Sequence, residues 1–191
     1  MRSSRWKVIL ITLAVVTVIA VGMMIMAGTM LGVPRPLEDG DELRVVTMDT
    51  FNAVVEPDVP VEPGADALFR RRYPSGETRV RYQYFSGGEF ELSSSLSTTK
   101  AYRDASAEFL VATNLPLLLL TADHYVTTDA TDVVLHGDQV YAQWIDVDGR
   151  HRGVHVVLRR GKQTFELLVY GCELSPEQMH TLLDPVLERL E

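Results

Sequence analysis

The sequence of 191 residues predicts an α+β domain: one antiparallel β-sheet covered on one face by two helices, preceded by one N-terminal transmembrane helix. Three observations predict it. Residues 8–31 carry no charge. Residues 131–171 alternate apolar and polar positions between three turn signals. Two stretches, 99–113 and 176–190, repeat apolar residues at helical spacing.

The uncharged run from Val8 to Leu31 would form a helix about 36 Å long, enough to cross a hydrocarbon layer of about 30 Å. The best cleavage candidate, "VIA" at 18–20, is followed by the equally apolar "VGMMIM", so the segment is expected to stay as a signal anchor. Arg2, Arg5 and Lys7 crowd its N-terminal flank. By the positive-inside rule residues 1–7 stay in the cytoplasm and the rest is extracytoplasmic, across a cell (inner) membrane in a single pass. Pro34 and Pro36 then stop the helix.

Residues 32–66 read as a linker. "LGVPRPLEDGD" is juxtamembrane, "ELRVVTMDTFNAVV" is able to supply one strand, and "EPDVPVEPGAD" sets three prolines among four acids, which favours polyproline-like extension. From residue 67 to 191 the pattern is that of a folded domain. "ETRVRYQYF" and "EFELSSSL" flank Ser86-Gly87-Gly88 as a β-hairpin. "TTKAYRDASAEFLVATN" follows, capped at Thr98 or Thr99, with Ala101, Ala105, Phe109 and Ala112 on one side. Asn114 and Pro116 mark its end. "LPLLLL" at 115–120 fits either a buried helical turn or a loop. A meander then turns at Gly137-Asp138, Asp148-Gly149 and Gly161-Lys162, with Val154, Val156, Leu158, Phe165, Leu167 and Val169 alternating inward. The closing "SPEQMHTLLDPVLERLE" has Ser175 as N-cap, Pro176 at the first helical position and Gln178 completing a capping box. Met179, Leu182, Leu183, Val186, Leu187 and Leu190 form its apolar stripe, and Pro185 kinks it without ending it.

The order hairpin, helix, three-stranded meander, C-terminal helix resembles the PsbP-like domain over about residues 67–191. The features that carry it are "AYRDASAEFLVATN", the Asp148-Gly149 and Gly161-Lys162 hairpins, and "SPEQMHTLLDPVLERL". The resemblance implies a non-enzymatic accessory or binding module, often exported and membrane-tethered, and it brings no catalytic residues. This chain departs from lipid-anchored members of that family by offering a helix where they use a Cys.

All 26 acidic residues lie from Glu38 onward, whereas Arg2, Arg5, Lys7 and Arg35 precede it; of 18 bases 14 remain, and the chain beyond residue 37 carries net −12. Such a domain repels phosphate backbones, so nucleic acid is not an expected partner. The single Cys172, in a "YGCEL" corner, excludes an internal disulfide and reads as a structural thiol. His151 and His155 are four apart. Asp148-Gly149 places them on a strand, where that spacing is about 13 Å, too far to share an ion with ligand bonds of about 2 Å. "DVDG" at 146–149 opens like a calcium loop, but the later ligands do not follow. No cofactor, metal or catalytic residue is therefore assigned. Asp123 and His124 stand only as the centre of an alternative, a membrane-tethered hydrolase; a small-ligand carrier is the other. One surface feature stands out. "FRRRYPSGETRVR" gathers Arg70, Arg71, Arg72, Arg79 and Arg81, a candidate contact for an acidic partner or for lipid headgroups. The function expected is a single-pass, extracytoplasmic interaction or assembly module, with the bilayer engaged through residues 8–31 and a protein partner of unknown identity.

Overall fold

The computed structural model describes residues 32–55, 65–86, 90–119, 125–133 and 137–190. Eight antiparallel strands dominate: β1 (Val33–Arg35), β2 (Ala65–Arg72), β3 (Thr78–Ser86), β4 (Phe90–Thr98), β5 (Tyr125–Asp129), β6 (Gln139–Val147), β7 (Arg150–Arg160) and β8 (Gln163–Tyr170). They form one sheet in the order β1-β2-β3-β4-β8-β7-β6-β5. Three helices accompany it: α1 (Met48–Val54), α2 (Tyr102–Leu119) and α3 (Pro176–Leu187).

The sheet is covered on both faces, which corrects the expected α+β sandwich with two helices on one side. Val80, Tyr82, Tyr84, Leu92, Leu96, Phe165, Leu167, Val169, Val154 and Val156 make one apolar face, aligned row by row in the strand registers. It packs against Phe51 of α1 and Met179, Leu182, Leu183 and Val186 of α3. The helix at 102–119 takes the opposite face instead, where Phe109 and Ala112 meet Val157 and Tyr141. The physical reason lies in β4 and β7. Leu92–Ser97 and Gly153–Leu158 are buried without interruption, as in strands covered from two sides. Because the second face is polar in composition, with Ser93, Ser95, Ser97 and Thr164, its burial is not visible in hydrophobic periodicity.

Residues 33–55 are part of this domain rather than a linker. β1 pairs with Arg70–Arg72, a 3-10 turn spans Asp41–Arg44, and "MDTFNAV" is helix α1, not a strand. Thr47 caps α1 by accepting from the Thr50 N–H at 3.3 Å. Val45, Val46, Phe51 and Val55 join the main core, and the Val46 N–H donates to the buried Ser94 Oγ at 3.0 Å. Helix α2 runs through Pro116 to Leu119 rather than ending at Asn114.

Other expectations have direct counterparts. The Asp148-Gly149 turn has both residues in the left-handed region, φ 52° and 76°, which Asp and Gly tolerate. Ser175 and Gln178 form the capping box, and Pro185 lies inside α3. The Pro/acid segment 56–64, the Gly87-Gly88 turn, Asp123, His124, Leu120 and the apolar segment 8–31 lie outside the described residues. Among the described residues no helix is long and apolar enough to cross a membrane.

Phe51 decides whether residues 43–55 matter to the fold, since a linker residue would be dispensable. Its side chain is fully buried. Phe51→Ala is expected to destabilise the domain by about 3–5 kcal/mol in a denaturant titration. A loss below about 0.5 kcal/mol, typical of surface positions, would contradict the core placement of α1.

Candidate functional site

Alternation along β2 and β3 divides the five arginines between the two faces of the sheet. Arg70 sits in the row of Val80 on the apolar face, and Arg72 in the row of Thr78. Arg71, Arg79 and Arg81 share the second face with Phe69, Gln83 and Phe85. The cluster is thus contiguous in sequence but not in space.

Arg70 is structural. Nearly buried, it donates through Nη1 to both oxygens of the buried Asp41 at 3.2 Å and pairs with Glu38. Those contacts pin the 3-10 turn to β2. Arg79 is also engaged internally: it donates to Glu77 Oε1 from Nε at 3.1 Å and from Nη2 at 2.8 Å, and pairs with Glu108 of α2. It also donates to Ser97 Oγ at 3.3 Å and stands 5.3 Å above the Tyr73 ring. A half-buried arginine fixed by two carboxylates, a hydroxyl and a ring holds α2 to the sheet.

Arg71 and Arg81 face outward on the limb that α2 leaves open, since α2 packs chiefly on β7, β8 and β4. The Arg71 guanidinium stacks 5.3 Å over the Phe69 ring. Arg81 donates to Ser93 Oγ at 3.2 Å, and with its amide oxygen turned toward the guanidinium Gln83 accepts at 2.9 Å. Phe85, about half exposed, completes the surface.

Under α2 the second face holds a polar cluster that the sequence did not single out. Ser95 Oγ donates to Glu166 Oε2 at 3.4 Å, and His155 Nε2 lies 3.5 Å from Glu166 Oε1. His155 is fully buried, and neither ring nitrogen has a hydrogen-bond partner among the described residues. The carboxylate stands between hydroxyl and imidazole, so the imidazole has no contact through which to deprotonate the serine. That order does not make a nucleophile–base pair. The only hint in the sequence was a Ser-Ser-Ser run and a Glu four strands later, too common a pattern to single out.

Burial lifts the Glu91 carboxyl above its usual 4.5; the charge of Arg81 opposes this and Glu166 adds to it. Burial raises Glu108 too, against Arg79 and with Glu77 and Glu166. Burial pushes the Cys172 thiol up to about 12, with Arg152 opposing, so it is no ready thiolate. His151 and His155 lie on β7 as the turn implied, and part company: His151 is exposed and pairs with Asp146, His155 is buried beside Glu166. Among the described residues no three His, Cys, Asp or Glu side chains are placed to hold a metal. No protein-family model, no curated protein and no solved structure matches the chain.

Two outcomes follow from these burials. The folded-state pKa of Glu91 exceeds its unfolded value, so its contribution favours the fold below the unfolded pKa and is lost as pH rises through the folded one. Glu91→Gln should therefore raise Tm near about pH 7 and leave it unchanged near about pH 3; an unchanged or lower Tm near neutrality would contradict the burial argument. His155→Leu removes two buried polar atoms without breaking a hydrogen bond, and its thermal unfolding should show a change within about 1 kcal/mol or a gain. A loss of about 3 kcal/mol or more would mean that the imidazole pairs with Glu166 as an ion.

Proposed function

We propose that this chain is a membrane-tethered interaction module, anchored through residues 8–31 with residues 1–7 cytoplasmic and the domain extracytoplasmic, and that it acts without catalysis of its own. The observation that carries the reading is the open limb of the second face. There two arginines and two aromatic rings, Arg71, Arg81, Phe69 and Phe85, share one side of β2 and β3 in a chain of net −12 beyond residue 37. Arginine and aromatic side chains are the types most enriched at the energetic centres of protein interfaces. A partner surface that is acidic with apolar contacts complements them, and the forked guanidinium suits carboxylates.

The carrier alternative finds less support, because the space between the apolar face and α1 and α3 is filled by Phe51, Phe165, Leu167, Met179 and Leu182. The hydrolase alternative rested on Asp123 and His124, and the Ser95–Glu166–His155 order offers it no substitute. The accessory role is the one that the PsbP-like resemblance implies, a resemblance that rests on the order hairpin, helix, meander and closing helix.

Affinity purification of the full-length protein from solubilised membranes, compared with Arg71→Glu/Arg81→Glu, tests the reading. The variant is expected to recover its specific partner at about a tenth of the wild-type level or less, in a salt-sensitive manner, with stability lowered by no more than the loss of the Arg81–Ser93 hydrogen bond, about 1–3 kcal/mol. Equal recovery by both proteins would reduce the limb to ordinary solvated surface. Arg79 is left unchanged because reversing it would break the Glu77 and Glu108 contacts and confound folding with binding.

A further inference from the structure

One end of the sheet is tied to the apolar segment far more closely than a linker would allow. Residues 8–31 end at Leu31, and β1 begins at Val33. Two residues reach at most about 7 Å, so this end of the sheet lies against whatever holds the segment. The register shows which residues share that end. Val33 is opposite Arg72, Thr78 is opposite Arg72 and Thr98, and Gln163 is opposite Thr98 and Arg160. The turns at 73–77, 99–101 and 161–162 and the start of α2 therefore all project from one end.

That end is basic, although the chain as a whole is acidic. Arg72, Lys100, Arg103, Arg160 and Lys162 are all exposed there. Arg103 lies 3.4 Å from Asp104; the other four make no ion pair among the described residues. The acids nearby are largely occupied by other cations. Glu77 and Glu108 hold Arg79, and Asp138 holds Arg159 at 3.2 Å while accepting from the Gly161 N–H at 2.8 Å. Two tyrosines flank the cations. The Tyr73 ring lies against Gly32, where a Cβ would be only 3.1 Å away, and Tyr102 is stacked under Lys162 Nζ at 5.7 Å. Beside Tyr102 is an open cleft of about 540 Å³ lined by Tyr102, Arg160, Lys162, Gln163, Thr98 and Asp138.

We propose that this end of the sheet rests on the bilayer and that Arg72, Lys100, Arg160 and Lys162 engage the phosphates of anionic lipids, with a headgroup seated in the Tyr102–Lys162 cleft. The inference rests on residues 8–31 spanning the membrane. Given that, the physics is direct. Cations within a Debye length of an anionic surface are attracted individually, and tyrosines partition to the headgroup level with ring inward and hydroxyl outward. A domain of net −12 would otherwise be repelled by the same surface. Sorting its unpaired cations to the tethered end lets it sit down without reversing its overall charge.

The test uses full-length protein reconstituted in nanodiscs of phosphatidylcholine alone or with phosphatidylglycerol, and reads amine acetylation of Lys100 and Lys162 by mass spectrometry. Both lysines should react at least about threefold more slowly in the anionic discs, and high salt should restore the neutral-disc rate. Arg160→Glu should relieve the protection of Lys100 and Lys162 while Tm stays unchanged. Equal rates in the two discs, with the protein retained in both, would overturn the inference and leave the anchor standing. Failure of the protein to remain with the discs would overturn the anchor and the inference together. Equal protection in neutral discs by added inorganic phosphate would make the cleft a site for small anions and overturn the lipid assignment.

Discussion

Strands β4, β8 and β7 are buried from both sides, and this two-sided burial is the constraint on which the remaining structure depends. The first face satisfies it with apolar side chains against α1 and α3. The second cannot, because its residues on β4 are Ser93, Ser95 and Ser97. Each hydroxyl there is matched to a partner: Arg81 donates to Ser93, Ser95 to Glu166, and Ser97 to Glu77. Thr164 Oγ1 donates to the Ala105 carbonyl at 3.2 Å, fixing the first turn of α2 to β8. A made hydrogen bond contributes roughly 1 kcal/mol net, while an unmade buried one costs about 1–3. The second face thus contributes less to stability than to the placement of α2, which has to sit where its polar neighbours find partners. Among the described residues His155 alone breaks the pattern, and it does so under the same helix.

Much of the fold was legible where a turn or a cap carries its own stereochemistry. Asp148-Gly149, Gly161-Lys162 and the Ser175–Gln178 box are local devices, and they determine β6, β7, β8 and α3 with little help from the rest of the chain. What was not legible depends on long-range pairing. β1 is three residues, exposed throughout, and exists because β2 offers it an edge. "MDTFNAV" mixes β-branched and aromatic residues that fit a strand as well as a helix; burial of Phe51 and the Thr47 cap decide for the helix. The side of the sheet taken by α2 follows from Phe109 and Ala112 meeting Val157, a contact between segments some 45 residues apart in sequence. The candidate site divides in the same way. Alternation along β3 correctly set Arg79 and Arg81 opposite Val80, Tyr82 and Tyr84, but only the carboxylates brought in by Asp41 and Glu108 show which arginines are already committed.

Neutralisation within the domain is what gives its few remaining cations their meaning. Arg70, Arg79 and Arg159 are each partly buried and each answered by a carboxylate from another element. Desolvated in this way, they hold turns and helices to the sheet and contribute little to the external field. Other cations, Arg72, Lys100, Arg160 and Lys162, are exposed at the end of the sheet where β1 begins. That end could not be found by counting charge along the chain, because Lys100, Arg160 and Arg72 come together only through the register β2-β3-β4-β8-β7.

The same register limits how the domain can move. A Gly- or Pro-rich tether of some 35 residues would let a binding surface sample every orientation above a membrane. Here β1 enters the sheet two residues after the apolar segment, and its pairing with Arg70–Arg72 fastens the chain to the edge of β2. The Arg70–Asp41 contact then secures the turn that follows. If the apolar segment is the anchor proposed above, so close a junction transmits orientation as well as proximity. Because β2 is both the strand that receives β1 and the outer strand of the Arg71–Phe69 surface, that surface is held at the edge that β1 joins. Under the proposed anchoring its presentation to a neighbour in the membrane plane would be set by the fold, and the arginines would serve a partner whose own acidic face stands close to the bilayer.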